Sequence, residues 1–426
     1  MKYTLINCYA DHNKGDLGII LATIGLVTTA DPSADIVAVS TFNKSDPLFD
    51  TEHRLLGQEV EVLPAVFGEL NIHKHKTFLA KIVRLIFDLF RLVIYCSMPL
   101  KISAITRLMF SRYELLSIDR IISSDRVISK GGSFLCNEHN LRSKIAMMRF
   151  LFIFFICIKH SKDIIILGQS IGPVYGRLSR RLLNFVLSRC KHIVLREDDC
   201  LSSYPYLSLP TGKTTTINDI AFFLDSSKCS HLSIPSQEGR LQIGVTMKYV
   251  DHTLNEDYIR MMKAATEYCI SKHNATIHVF PHVTFEDDIG NAFNVIKAID
   301  DEYKQHIRLY SGDYAPRELK KLYSEMDFFI GTRLHSTIFA MSELVPSICI
   351  AYHGTKSLGI FSNFGLKEYV ITDYSSVGLF EMIDSLVINR TEISTKIQHR
   401  LDIDREAYLT FFSKLMSSEL RLSSNL

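Results

Sequence analysis

Short β-branched apolar runs alternate with stretches of helical length along nearly the whole chain, and this alternation limits the fold more than any other feature. Tyr3–Tyr9 reads as a strand, Ala10–Asp16 as a polar loop, Leu17–Val27 as a helix and Ile36–Ser40 as the next strand. Val127–Ser129, Ile164–Leu167 and His192–Leu195 follow as strands, each running out into glycine or polar residues. Runs apolar on both faces belong to parallel sheets covered by helices. A second series is cleaner. Gln242–Thr246, Ile277–Phe280, Ile307–Leu309, Phe328–Ile330 and Ser347–Ala351 read as strands. They alternate with helices over Asp257–His273, Ile289–Ile299, Pro316–Glu325 and Ser336–Leu344. The Ser-rich stretch Asp225–Gly239 separates the two series. The expected organisation is an α/β domain over 1–228, a linker over 229–240, a second α/β domain over 241–390 and a helical tail over 391–426.

A chain of 426 residues has room for two such cores without disulfide staples. Its 48 Lys and Arg against 46 Asp and Glu leave +2, which gives no support to a general nucleic-acid binder, usually a strongly basic domain. The nine cysteines are scattered, odd in number and never in a CxxC pair, so neither a zinc site nor a disulfide framework is expected. No His pair has metal-ligand spacing with a carboxylate. The amino terminus turns polar at Asp11, too early for a signal-peptide core.

Mean hydropathy is slightly positive, +0.10, which raises the question of a membrane. Ala146–Ile158 is almost continuously apolar but too short to span a bilayer and contains Arg149. Phe78–Phe110 is longer but carries Lys81, Arg84, Asp88, Arg91, Lys101 and Arg107. From Lys74 to Arg112 there are eight Lys or Arg and one acidic residue. Ile82, Leu85, Ile86, Leu89, Leu92 and Val93 fall at helical spacing opposite Lys81, Arg84, Asp88 and Arg91. Two readings stand: a basic amphipathic helix lying on an anionic membrane, or a domain helix whose apolar face meets a sheet.

The segment richest in chemistry is Ile330-Gly331-Thr332-Arg333-Leu334-His335-Ser336, where a buried strand turns into a helix. Amides at a helix N-terminus make an anion site, and an arginine beside it grips phosphate or carboxylate in two-point fashion. His335 is the natural proton donor or acceptor there. The alternative is that Arg333 pairs with an acid and His335 caps a core helix. Arg196 ends another strand beside Glu197 and Asp198. Gly131, Gly132 and Ser133, then Gln169 and Ser170, lie in turns that let backbone approach a ligand closely. Neither turn matches a Walker loop or a dinucleotide fingerprint. Asn13, Gly15 and Asp16 lie between the first strand and helix. His282 ends a strand of the second series, with Asp287 and Asp288 close behind.

Taken in order, these segments resemble the polysaccharide pyruvyl transferase family. The matching stretches are Asn13-Lys14-Gly15-Asp16, Lys130-Gly131-Gly132-Ser133-Phe134-Leu135, Gly168-Gln169-Ser170-Ile171-Gly172-Pro173, Leu195-Arg196-Glu197, Asn218-Asp219-Ile220-Ala221-Phe222, Gly244-Val245-Thr246 and Gly331-Thr332-Arg333-Leu334-His335-Ser336. Pro346 and Tyr352-His353-Gly354-Thr355-Lys356 follow. Lys130 stands where the family usually has a third glycine, and Ile220 where proline is common. The resemblance implies a GT-B-like α/β fold, two Rossmann-like domains with parallel sheets facing across a cleft. It also implies phosphoenolpyruvate as co-substrate, no cofactor or metal, and a sugar of a surface polysaccharide or its precursor, free or lipid-linked, as acceptor. By that resemblance Arg196, Arg333 and His335 are the catalytic set. Asn13, Gly15, Asp16, Gly131, Gly132, Ser133, Gln169, Ser170, His282, Ser336 and Lys356 are candidate substrate contacts. The expected place of action is cytoplasmic, with 74–112 as the candidate peripheral contact with the inner face of the plasma membrane. The competing functions are a nucleotide-sugar glycosyltransferase and a non-catalytic subunit of a polysaccharide-assembly complex.

Overall fold

Among the described residues there are fourteen strands, and every strand pairing between them is parallel. The structure is a computed structural model describing residues 1–67, 78–99, 107–198, 202–235, 238–248, 255–283, 286–351, 356–374 and 376–423, without the side chains of 78–81 and 416–423. The strands are β1 (Lys2–Cys8), β2 (Asp35–Ser40), β3 (Glu61–Leu63), β4 (Arg126–Ser129), β5 (Gly132–Leu135), β6 (Asp163–Ile171), β7 (His192–Leu195) and β8 (Thr214–Thr216). They continue with β9 (Leu241–Thr246), β10 (Ala275–Val279), β11 (Ile307–Leu309), β12 (Phe328–Gly331), β13 (Ser347–Ile350) and β14 (Val370–Ile371).

The chain divides into two units. The first holds Met1–Asp11 and Ile19–Ile217, the second His12–Gly18 and Asn218–Leu426. The first unit's sheet has the order β3-β2-β1-β4-β6-β7-β8, with β5 beside β6. The second has the order β11-β10-β9-β12-β13-β14. Counted within its own unit this is the 3-2-1-4-5-6 of a doubly wound sheet, whose direction reverses between β9 and β12. Ile243 and Val245 of β9 and Phe328, Phe329 and Ile330 of β12 are buried. Each such side chain, fully buried, contributes roughly 1.5–3 kcal/mol. Gly244 is required by packing, since a Cβ there would meet the ring of Phe329 and, at 2.9 Å, Met326.

The units meet in sequence at Ile217 and Asn218, ahead of the 229–240 stretch expected as linker. The cause is that 218–224 packs as part of the second unit. The Asn218 side chain donates to Asp404 at 2.5 Å, and buried Lys320 donates to the carbonyls of Leu224 and, at 3.4 Å, Phe222. The expected boundary at 390 falls inside one helix, Ser376–Ser423, whose Leu379, Ile383, Leu386, Ile393 and Ile397 are buried.

The helix Phe78–Ser97 corrects the amphipathic expectation, because two of its charged positions, Asp88 and Arg91, face inward. Asp88 and Arg91 are buried, whereas Val83, Ile86, Phe87, Phe90 and Val93 are 53–60% exposed. Burial of the charges is tolerated because they cancel. Asp88 accepts from Arg91 at 2.5 Å and from Arg149 at 3.1 Å, and Arg91 makes two 3.1 Å bonds to Glu114. Glu114 is itself fixed by a capping box with Ser111. Arg149, the charge inside the apolar run 146–158, thus completes an ion cluster in a helix, Leu141–Lys159, whose other buried residues are mostly apolar. Residues 74–77 and 100–106 of the basic segment lie outside the described residues. No helix among the described residues is long and apolar enough to cross a membrane.

Candidate active site

The switch between β9 and β12 places the carboxyl ends of these strands at the expected ligand position of a doubly wound sheet. Thr246 ends β9, and Thr332-Arg333 follows β12 into the helix Leu334–Ser342. Arg333 is the N-cap residue, in extended conformation, so the helix opens two residues earlier than expected. Ser336 locks this entry, its hydroxyl donating to the Arg333 carbonyl at 2.6 Å and meeting Thr246 Oγ1 at 2.7 Å. Tyr258 contributes its hydroxyl to Thr332 Oγ1 at 2.8 Å. A Cβ on Gly331 would collide with Thr337, so the turn needs glycine for close packing.

Arg333 is buried and engaged by two carboxylates. Asp288 Oδ1 and Oδ2 lie 2.5 and 3.3 Å from its Nη2 and Nε, and Glu286 Oε2 lies 2.8 Å from Nη1. Of the two readings left open by the sequence, pairing with an acid is thus present in this state. Asp288 also accepts from the amides of His282 and Val283 at 3.1 and 2.8 Å. Burial raises the Asp288 carboxyl above its ordinary range, with Arg333 opposing that only in part. Burial works in the same direction on Glu286, but Arg333 and Lys248 outweigh it and hold that carboxyl low. Asp287, named from the sequence with Asp288, has a different task. It sits at φ 55° and caps the helix Asp288–Ala298 through the Gly290 amide.

His335 is half-buried, with Nε2 3.7 Å from Asp219 Oδ2. Asp219 is wholly buried, and its Oδ1 accepts from the Ala221 amide at 2.9 Å. The segment 12–18 supplies the other wall. Asn13 caps the helix Lys14–Ala30, accepting from the Asp16 amide at 3.2 Å and donating to the Asp16 carboxylate at 2.8 Å, and it bridges to Val283. Gly15 lies against the imidazole of His335, where any Cβ would overlap the ring. Lys14 is buried with its ammonium 2.7 Å from Asp313. His282 is buried against Phe339, and its Nδ1 is 3.5 Å from the Tyr323 hydroxyl. Its imidazole is driven far toward the neutral form, first by burial and then by the positive charges of His335, Arg333 and Lys14. The second unit therefore brings Lys14, His282, Arg333 and His335 close to one helix N-terminus. Carboxylates pair three of these groups in this state, Asp313 with Lys14, Asp288 and Glu286 with Arg333, and Asp219 near His335, so an anion arriving at the helix N-terminus would compete with them.

The first unit holds a second group. Arg196, buried at the end of β7, donates to Ser170 Oγ at 2.6 Å and has Glu197 at 3.4 Å. Gln169 is buried and donates to the Ser170 carbonyl at 2.8 Å. Gly131 lies so close to the Leu167 and Gly168 carbonyls that a Cβ would stand 2.6 Å from Gly168 O. Gly132 has φ 119°, and Ser133 follows it in β5. Lys356 opens the helix Lys356–Asn363 and is half-buried, while 352–355 lie outside the described residues. The sequence candidates thus fall into two groups, one in each unit. Lys14, Asp219 and Glu286 had been given no role from sequence. Lys14 and Asp219 lie inside matched family stretches, which was the available signal; Glu286 had none beyond its neighbours.

The fold resembles several solved structures at low sequence identity. Anabaena Alr3699/HepE in complex with UDP-glucose superposes with a TM-score of 0.53 at 11% identity, covering all of both chains. A glycosyltransferase from Rickettsia africae reaches 0.56 at 10% identity, covering 97% of this chain and 98% of that one. The UDP-GlcNAc 2-epimerase from Neisseria meningitidis bound to UDP-GlcNAc reaches 0.54 at 12% identity, covering 93% and 94%. These likenesses establish the GT-B-like fold alone. The amylovoran biosynthesis protein AmsJ of Erwinia amylovora is 23% identical over 439 residues, covering 95% of this chain and 96% of its own. The family model for polysaccharide pyruvyl transferase matches residues 51–354, and the chain belongs to that family.

Proposed function

We propose that the protein transfers the pyruvyl group of phosphoenolpyruvate to two hydroxyls of one sugar in a surface polysaccharide or its precursor. The observation that carries this reading is the cluster of Lys14, His282, Arg333 and His335 at the start of the Leu334–Ser342 helix, in a chain of this family. Phosphoenolpyruvate carries a phosphate and a carboxylate, so it needs several fixed cations and one proton source. In this reading Arg333, Lys14 and the helix amides bind the donor anion, and His335 handles protons.

The chemistry balances without a redox partner. A proton adds to the methylene carbon and becomes part of the product methyl group. The first sugar hydroxyl attacks the resulting cationic carbon and loses its proton. Phosphate leaves with the carbon–oxygen bond pair, and the second hydroxyl closes the ring, losing its own proton. Of the two hydroxyl protons released, one makes good the proton added to the methylene carbon and the other leaves on the phosphate, as the hydrogen phosphate dianion. His335 supplies the proton in the first step and accepts one in a later step.

The biosynthetic role of AmsJ supports an exopolysaccharide or capsule context. Peripheral contact with the inner face of the plasma membrane follows in this reading from the exposed apolar face of Phe78–Ser97 in a basic segment. Flotation of the protein with phosphatidylglycerol vesicles tests that contact. The reaction is tested by incubation with phosphoenolpyruvate and a panel of lipid-linked and nucleotide sugars, read for phosphate release and the added pyruvyl mass. Transfer of a glycosyl group from a nucleotide sugar, with no use of phosphoenolpyruvate, overturns the reading.

A further inference from the structure

The carboxylate beside His335 sits on an element that cannot hold its own place. Asp219 caps a single 3-10 turn, Ile220–Phe223, and the chain enters the second unit only one residue before it, at Asn218. Turns of this kind are short and poorly hydrogen-bonded. The Asp219 carboxylate accepts from the Ala221 amide of the same turn, so wherever the turn moves the carboxylate moves with it. The far end of the turn is secured by buried Lys320, which donates to the carbonyls of Phe222 and Leu224. The near end depends on Asn218.

Asn218 is wholly buried and is held at three atoms. Its Nδ2 donates to Asp404 Oδ2 at 2.5 Å, its Oδ1 accepts from Asn363 Nδ2 at 2.6 Å, and its backbone carbonyl accepts from the Tyr408 hydroxyl at 2.9 Å. Asp404 and Tyr408 lie one turn apart on the helix Ser376–Ser423 and so share a face. Both are themselves fixed. Asp404 is buried and accepts from Arg400 at 2.9 and 3.1 Å. The buried Tyr408 ring meets Phe223 edge-on, with centroids 5.4 Å apart. Asn363, Asp404 and Tyr408 all lie beyond residue 354, where the family match ends. Apolar residues at buried ionic positions are often as stabilising as the ions. Adhesion alone therefore does not call for an Asn–Asp–Arg network at the residue before Asp219. What directional bonds add is one defined orientation.

We infer that Asn218, Asp404 and Tyr408 are positioning residues. The carboxyl-terminal helix fixes the Asp219 carboxylate opposite His335 Nε2 and so orients the imidazole for proton transfer. Gly15 lies against Nδ1, Cγ and Cβ of His335, which leaves the Nε2 end of the ring to Asp219. The effect on turnover rests on the pyruvyl-transfer reading; the hold on Asp219 does not.

The test uses the full chain. Tyr408→Phe keeps the buried ring, so it should fold, and it removes one bond to Asn218. It is expected to lower kcat for phosphate release from phosphoenolpyruvate roughly threefold or more, the size of one net hydrogen bond, with KM nearly unchanged. Tyr408→Phe/Asp219→Asn should be no slower than Asp219→Asn alone, because the bond acts through that carboxylate. Tyr369→Phe is the control: it removes a hydroxyl bond to Ser385 of the same helix and should leave kcat unchanged. Unchanged kcat in Tyr408→Phe, losses that multiply in the double variant, or an equal loss in Tyr369→Phe overturns the positioning role. Hydrogen exchange over 218–224 reads the hold without substrate, since the amides of Ala221 and Phe222 bond to Asp219 and that of Leu224 to Ala221. Exchange there should be about fivefold faster in Tyr408→Phe and unchanged in Tyr369→Phe. Equal exchange in the wild type and Tyr408→Phe overturns the hold whatever the kinetics. Faster exchange in a protein that releases no phosphate with any sugar leaves the hold standing and overturns the transfer reading.

Discussion

Asp219 Oδ2 lies 3.7 Å from His335 Nε2, with the carboxylate wholly buried and its other oxygen anchored by the Ala221 amide. The separation is too long for a hydrogen bond, so the pair acts through charge and orientation. Opposite unit charges at about 4 Å interact by about 4 kcal/mol in a surface-like dielectric. Asp219→Asn retains an acceptor for the Ala221 amide and should fold. We expect it to lower kcat roughly 10- to 100-fold, part of that interaction, with the KM for phosphoenolpyruvate nearly unchanged. His335→Gln should cost roughly 10²–10⁴-fold in kcat. Steady-state phosphate release measures both, and wild-type turnover in either variant removes the residue from the proton path.

Arg333 and Asp288 make the shortest contact of the site with both partners buried. Removing one member of a buried ion pair typically costs about 3–5 kcal/mol, because the other charge is left uncompensated. Arg333→Met should therefore unfold at clearly lower denaturant, and Arg333→Met/Asp288→Leu should recover much of the loss. If Arg333 also binds the donor phosphate, the double variant stays inactive after its stability returns. A stable double variant with normal donor KM would leave Arg333 a purely structural residue.

The three atoms nearest to a Cβ placed on Gly15 all belong to His335, whose imidazole lies over it. Alanine favours helix by up to about 1 kcal/mol over glycine, so Gly15→Ala should not weaken the Lys14–Ala30 helix. The added Cβ must instead displace His335. The expected result is a Tm near that of the wild type with activity lost at least as severely as in Asp219→Asn. Equal activity would show that the ring has a second productive position.

Much of this architecture was legible because parallel strands buried on both faces carry a simple signal. His192–Leu195 and Ile307–Leu309 have the bounds that their β-branched runs suggest. β3, β8 and β14 were not legible, since two- and three-residue strands have too few side chains to establish a period. The inward face of Phe78–Ser97 was misread for a different reason. Hydrophobic periodicity assumes that charges face water, and here Asp88, Arg91, Arg149 and Glu114 neutralise one another from three helices. In the site, Arg333 and His335 were visible because a strand-to-helix turn bearing both is chemically distinctive. The partners Asp219 and Asp288 are distant in sequence, and only tertiary contact brings them to the turn.

His278 provides a pH prediction independent of catalysis. It is buried in β10, with Nε2 2.8 Å from Gln242 Oε1 and Nδ1 3.0 Å from the Tyr310 hydroxyl. A neutral imidazole satisfies both by donating from Nε2 and accepting at Nδ1. Burial, with Arg308 adding to it, lowers its pKa to about 4 from the ordinary 6.5. The unfolded chain therefore binds the proton first, and its contribution to stability is complete above pH 6.5 and lost as pH falls toward 4. That loss is at most about 3 kcal/mol. His282 acts in the same direction, and Asp384, held at about 2 chiefly by its bond from Lys272, acts only below the ordinary carboxylate range. His278→Gln should be less stable at pH 7.5 yet lose less of its remaining stability between pH 6.5 and 4. Denaturant unfolding across that range measures the slope, and parallel wild-type and variant curves would mean that His278 is already charged in the native protein.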